Sequence, residues 1–157
     1  MRAFLFPGQG SQYVGMGSDF LKKFDSVKSI FQKVDETLGF SLSQLILEGP
    51  EDKLKLTQNT QPAIMAVGVS IFNILKENKN YDPKQIKFFA GHSLGEYTAL
   101  VCAGSITLER AAYLLHERGK AMQQAVPEGL GSMMAVIGMK ISEVENEINN
   151  LPKTKED

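Results

Sequence analysis

Ser93 stands in the pentapeptide Gly91-His92-Ser93-Leu94-Gly95, between the apolar run Ile86 to Ala90 and a helix-like segment from Glu96 onward. A serine where a strand feeds directly into a helix is a candidate nucleophile. The turn is sharp and strained, the flanking glycines remove Cβ atoms that would collide, and the hydroxyl is pushed out above the sheet edge. The helix then turns the positive end of its dipole and its free amides toward any carbonyl the serine attacks. By the geometry of this elbow, the amide of Leu94 is one donor to the oxyanion that forms. The competing reading is an ordinary glycine-punctuated turn whose serine caps the helix.

Arg118 is the second residue with chemical content. Its neighbours three and four positions away include Leu114, Leu115, Ala121 and Met122, which puts the guanidinium at the margin of an apolar helical face. Glu117 points to the opposite, solvated side. A cation beside a buried face wants a carboxylate, and the planar fork of arginine binds one with two hydrogen bonds. Periodicity alone leaves a substrate carboxylate and a protein acid as equal candidates. The base that Ser93 requires is harder to find, because the chain has two histidines. His92 leaves the turn in a different direction from Ser93 and is expected to make a structural hydrogen bond. His116 lies at the other margin of the same helix face and reads as a partly buried, satisfied histidine, with a role as base the lesser alternative. A glycine-rich loop, Pro7-Gly8-Gln9-Gly10-Ser11, could cradle a dinucleotide, but Tyr13 occupies the third glycine position of that fingerprint.

These residues must be held by a fold, and the composition bounds it. A chain of 157 residues with 43% hydrophobic content suffices for one packed domain. Seventeen basic against 18 acidic residues give a net charge of −1, with no general attraction for nucleic acid or an anionic bilayer. No signal-peptide pattern and no membrane-spanning stretch are visible, so the expected compartment is the cytoplasm. The single cysteine, Cys102, lies in the apolar row Ala99 to Ala103 and reads as a small core residue, with a reactive thiol the alternative.

The pattern alternates strand and helix. Ala3 to Phe6 reads as a buried strand. Val27, Ile30, Phe31, Val34 and Leu38 recur at helical spacing, with Gly39 at the stop. Ser41 and Gln44 have capping-box spacing and open a short helix through Leu47. A further helix is expected to begin near Thr60 to Pro62, carry Ile64, Val67, Ile71, Phe72 and Leu75 inward, and end before Asn78. After the strand at Ile86, Thr107 caps a long helix with Leu108, Ala111, Ala112, Leu115, Gly119 and Met122 on one face. This order predicts an α/β fold with parallel strands, whose sites lie at the carboxyl ends of the strands. Both glycine loops fall at such ends. Near Pro127 to Gly129 the character changes. Met133 to Ile137 reads as a strand, Ser142 with Glu145 caps a final helix containing Val144 and Ile148, and the polar tail from Leu151 is expected to fray.

Four strings in this order carry a family resemblance: FPGQGSQ at Phe6 to Gln12, TQPA at Thr60 to Ala63, GHSLGEY at Gly91 to Tyr97, and RGKAMQ at Arg118 to Gln123. From Met1 to about Asn149 the chain resembles the malonyl-CoA:acyl carrier protein transacylases. Acyltransferase domains of polyketide synthases share these motifs. The resemblance implies an acyltransferase fold of α/β-hydrolase type. Residues 1–128 would be the first part of its larger domain, and residues 129–157 the first strand and helix of a ferredoxin-like small subdomain. It implies transfer of a malonyl group from coenzyme A to the phosphopantetheine thiol of acyl carrier protein, for fatty acid synthesis, with no metal and no permanently bound cofactor. Ser93 would form the acyl-enzyme, splitting one thiol exchange into two half-reactions. The amides of Gln9 and Leu94 would hold the oxyanion, Gly8 and Gly10 keeping the first loop bare. Arg118 would grip the malonyl carboxylate, with Gln61 and His92 candidates for the pocket lining. Leu94 would favour malonyl, since family members that prefer methylmalonyl often carry glutamine there.

In the resembling family the base and an associated glutamine come from far downstream of residue 157. The chain as written is therefore expected to turn over poorly, since losing the base of a serine enzyme costs on the order of 10⁶ in rate. Unpaired sheet edges and apolar surface are expected too, open to self-association or to a complementary carboxyl-terminal segment. Two further readings stay open: a non-catalytic binding half-domain, and a general serine esterase.

Overall fold

The computed structural model describes residues 2–78, 81–126 and 136–151. The chain divides into two units, Met1–Val126 and Pro127–Asp157. In the first, strand β1 (Arg2–Phe6) leads into five helices: α1 (Ser18–Lys23), α2 (Asp25–Leu38), α3 (Leu42–Glu48), α4 (Glu51–Lys55) and α5 (Thr57–Glu77). Strand β2 (Ile86–Gly91) follows, then α6 (Leu94–Cys102) and α7 (Leu108–Ala125). The two strands pair in parallel, with Phe4 beside Phe89 and Phe6 beside Gly91. This is the α/β organisation with parallel strands that the alternation predicts, and it brings the loops after β1 and β2 out at the same end of the sheet.

One sheet face is covered. Phe4 stacks on Phe89 at 5.7 Å between ring centroids, and Phe72 of α5 meets both rings edge-on at 5.2 and 5.6 Å. The opposite face carries Ala3, Leu5, Phe88 and Ala90, all exposed, with Leu5 77% and Phe88 60% accessible. Apolar surface is therefore left uncovered, as the sequence reading expects.

Helix α5 is the centre of the helical layer. Ala63, Ile64, Met65, Ala66 and Val69 join Val27, Ile30, Phe31 and Val34 of α2 and Ala111, Ala112 and Leu115 of α7 in one core. Neighbours on several sides bury nearly every residue of its amino-terminal half, so no single stripe describes it. Of the residues expected to point inward, Ile64 and Phe72 are buried and Val67 half-buried, whereas Ile71 and Leu75 are 38% and 41% exposed. The helix also begins a turn earlier than predicted, at Thr57, because its polar opening is matched internally. Asn59 Nδ2 donates to the Lys53 carbonyl at 2.9 Å and Thr60 Oγ1 to that of Leu54 at 2.5 Å. Helix α4, whose carbonyls these are, was not anticipated.

Most of the expected stops and caps elsewhere are present, although Gln44 donates to Glu48 at 3.0 Å instead of closing a capping box on Ser41. Gly39 ends α2 in the left-handed conformation, Ser41 Oγ accepts from the Gln44 amide, and Thr107 Oγ1 accepts from the Arg110 amide at 3.1 Å. In the second unit, α8 (Ile141–Asn150) starts before Ser142, because Glu143, not Glu145, accepts the Lys140 amide at 3.1 Å. Of the strand expected over Met133 to Ile137, residues 133–135 lie outside the described residues, and Val136 and Ile137 are in no strand.

Helices α5 and α7 cross where Gly119 is buried. A Cβ there would meet the backbone of Gln58 and, at 2.8 Å, the Thr57 carbonyl carbon. In an exposed helix interior, alanine in place of glycine adds about 1 kcal/mol of stability. For Gly119→Ala we expect the opposite sign, a loss of about 1–3 kcal/mol from forcing the helices apart, read as a lower urea midpoint with an unchanged slope.

Candidate active site

Ser93 joins β2 to α6 with φ 54° and ψ −113°, and it is the one described non-glycine residue with positive φ. Such a backbone costs about 1–3 kcal/mol and persists where its surroundings over-determine it. They do so here. A Cβ on Gly91 would fall on the Gly95 carbonyl, and one on Gly95 would meet the carbonyl oxygens of Phe6 and, at 2.8 Å, Pro7. The elbow is therefore pressed against the end of β1, and the His92 amide donates to the Phe6 carbonyl at 3.1 Å. Ser93 stands at the helix N-cap position but makes no side-chain capping bond. The reading of this serine as an ordinary cap is thereby set aside, and its exposed hydroxyl is free for other partners.

The partner it has is Arg118. Nη2 of Arg118 donates to Ser93 Oγ at 3.1 Å, and Nη1 donates to Gln61 Oε1 at 2.6 Å. Gln61 is fully buried, and its Nε2 reaches Met122 Sδ at 3.4 Å, so the amide is held at both ends. Among the described residues no carboxylate lies within ion-pair distance of Arg118. Glu117, one residue away, is engaged by Lys120 at 2.8 Å, and that bond lowers its carboxyl below the ordinary range. Arg118 is half-buried and uncompensated, the arrangement expected of a site that receives an anion from outside.

The loop after β1 packs against the elbow. A Cβ on Gly8 would strike His92 Nδ1, so this glycine is required for close approach to protein rather than to a ligand alone. Gly10 has φ 108° with nothing near its Cβ position, so its requirement is conformational. Ser11 Oγ donates to the Gly8 carbonyl at 3.0 Å, and Gln12 Oε1 accepts the Gly10 amide at 2.8 Å. Among the described residues the amides of Gln9 and Leu94 make no hydrogen bond. The Gln9 side chain touches Thr57 Oγ1 at 3.4 Å.

The Leu94 side chain is 0% exposed and belongs to the core, so it shapes the site from beneath rather than lining it. His92 is exposed and does not hydrogen-bond Ser93, and among the described residues its imidazole makes no hydrogen bond at all, so the structural bond expected of it is absent. His116 is further removed: its Nδ1 lies 2.9 Å from the Gln58 carbonyl. It is the satisfied, partly buried histidine that the helix pattern suggests. Two cavities, of about 380 and 550 Å³, lie elsewhere and neither is lined by Ser93. No cluster of potential metal ligands occurs among the described residues. None of the described helices is long and apolar enough to cross a membrane.

A family model for the acyl transferase domain matches residues 3–153. The chain belongs to the acyl transferase domain family. The malonyl CoA-acyl carrier protein transacylase of Bacillus subtilis strain 168 is 46% identical over 137 residues, covering 87% of this chain and 42% of the relative. That of Escherichia coli K12 is 44% identical, with 87% and 43% covered. A crystal structure of acyl-carrier-protein-S-malonyltransferase from Bartonella henselae superposes with a TM-score of 0.85 at 48% identity, over 94% of this chain and 48% of that one. A malonyl-transacylase in complex with its type II polyketide synthase acyl-carrier protein gives 0.75 at 46% identity, over 81% and 40%. The fold is thus that of the acyltransferases. The chain spans less than half the length of the relatives it matches.

Cys102, at the end of α6, is half-buried and packed on the core, and burial pushes its thiol up to about 12. At pH 8 the folded chain should therefore react with iodoacetamide far more slowly than the same chain in urea, whose thiol titrates near about 8.5. The difference should persist up to pH 10. Equal alkylation rates at pH 8 would return Cys102 to the reactive class.

Proposed function

We propose that this acyl transferase chain carries the nucleophile and carboxylate clamp of a malonyl transfer from malonyl-CoA to the phosphopantetheine thiol of acyl carrier protein. The observation that carries the reading is Arg118 at 3.1 Å from Ser93 Oγ with no described acid to neutralise it. The names of the relatives supply the substrates. A malonyl thioester has a carbonyl for the serine and, one methylene beyond it, a carboxylate for the guanidinium.

In the first half-reaction Ser93 Oγ attacks the thioester carbonyl and gives up its proton to a general base. The amides of Gln9 and Leu94 receive the oxyanion. Each such donor is typically worth about 3 kcal/mol of transition-state stabilisation. The carbon–sulfur bond then breaks, and coenzyme A leaves as a thiol with the proton from the base. The second half-reaction runs the same steps with the carrier thiol as nucleophile, and Ser93 recovers its proton. Arg118 holds the carboxylate through both, steadied by Gln61. Leu94, by filling the core under the elbow, favours the unbranched acyl group. No cofactor is needed for this exchange. Neither described histidine hydrogen-bonds Ser93, so the base is assigned to sequence outside these residues, as in the resembling family. On the same resemblance, residues 129–157 are read as the beginning of the small subdomain.

A second reading, a non-catalytic half-domain that associates with a complementary chain, draws on the uncovered sheet face with Leu5 and Phe88. Mass spectrometry of Ser93 after incubation with malonyl-CoA separates the two, in the chain alone and with the carboxyl-terminal portion of a family transferase added. Malonyl on Ser93 in the reconstituted mixture supports the transferase; no adduct in either leaves the half-domain. In that mixture Arg118→Ala should lower malonyl loading roughly 10- to 100-fold, the worth of a hydrogen bond to a charged group, while acetyl loading from acetyl-CoA is unchanged. Equal losses for both acyl groups would mean that Arg118 does not read the carboxylate.

A further inference from the structure

Pro62 sits within α5 and has no amide hydrogen, so the carbonyl four residues earlier, that of Gln58, loses its helical partner. A carbonyl left without a donor in a packed helix crossing is costly. His116 of α7 fills the vacancy with Nδ1 at 2.9 Å. Because a carbonyl only accepts, Nδ1 carries the proton, which fixes the neutral ring as the Nδ1–H tautomer. The Phe40 ring lies against the imidazole at 5.5 Å between centroids.

This bond sits in the middle of the proposed clamp. Gln58 is one turn before Gln61, His116 is two residues before Arg118, and Gly119 lets α7 rest on the Gln58 backbone. Three polar contacts therefore join the helices: His116 to the Gln58 carbonyl, Arg118 to Gln61 Oε1, and Gln61 Nε2 to Met122 Sδ. The first sets the spacing and rotation of α7 at which the second can form. We propose that His116 is a positioning residue for the substrate carboxylate, acting by donating Nδ1–H to the carbonyl that Pro62 leaves open and so holding Arg118 over Ser93. This rests on the reading of Arg118 as the malonyl clamp.

The test combines three substitutions. Long-range proton–nitrogen NMR of the unsubstituted chain should show His116 with Nδ1 protonated and Nε2 bare. His116→Phe should raise the KM for malonyl-CoA in Ser93 loading about tenfold, equivalent to a neutral hydrogen bond of about 1.4 kcal/mol, with acetyl loading unmoved. His116→Asn, whose side-chain amide can take the place of Nδ1, should recover most of that loss. In the Pro62→Ala background residue 62 regains an amide for the Gln58 carbonyl, and His116→Phe should there cost less than about threefold. An Nε2–H tautomer, or an equal cost in both backgrounds, overturns the proposal. If His116→Phe lowers the urea midpoint in a Pro62-dependent way but leaves malonyl selectivity intact, His116 is a structural tie and not a positioning residue. Absence of malonyl preference in the unsubstituted, reconstituted protein defeats instead the assignment of Arg118, and the Pro62-dependent unfolding then shows the helix tie separately.

Discussion

The site depends on backbone meeting backbone with no side chain between. Ser93 holds its strained dihedrals because Gly91 and Gly95 let the elbow close on itself and on the carbonyls of Phe6 and Pro7. The parallel pairing of Phe6 with Gly91 brings those segments to one end of the sheet. A methyl group at either glycine would displace the start of α6, and with it the direction of the hydroxyl and of the Leu94 amide. Strain at Ser93 is thus maintained by packing distributed over two strands and a helix, which is how such conformations survive.

A second constraint aims the charge. Arg118 would lose affinity for an external anion if a protein carboxylate neutralised it, and Glu117 is taken up by Lys120 instead. Gln61 is neutral, so it fixes Nη1 without cancelling the positive charge, and its burial removes the rotamer freedom that a surface glutamine would have. The long arginine side chain is therefore already ordered, and less of the binding energy of the proposed carboxylate would go into ordering it.

Much of this was legible in the residues. The elbow, the parallel strands, the amphipathic α2 with its glycine stop, and Arg118 at a helix margin all follow from local pattern, because each involves neighbours within one or two turns. What escaped was set by distant partners. The helix is expected to begin only near Thr60 to Pro62, because the polar residues Thr57 to Asn59 before it could be solvated. They are helical because Asn59 and Thr60 satisfy the carbonyls of α4, which lies before them. Pro62 reads as a helix start for the same reason, since no local rule reveals that a histidine 54 positions later takes the carbonyl it vacates. Gln61 could be placed near the pocket only through resemblance, and its contact with Arg118 spans 57 positions.

The least supported layer of the molecule carries its most demanding geometry. A two-stranded sheet is marginal by itself, and here the aromatic cluster of Phe4, Phe89 and Phe72 stabilises one face while Leu5 and Phe88 leave the other open to water. Gly91 is both the last paired residue of β2 and the first residue of the elbow. Any fraying of the pair at Phe6 and Gly91 would relax Ser93 out of its positive φ, whereas α5 and α7, joined through the core and three polar contacts, would keep Arg118 and Gln61 in register. The proposed nucleophile and the proposed clamp therefore rest on different elements, one on the end of the strand pair and the other on the helical core.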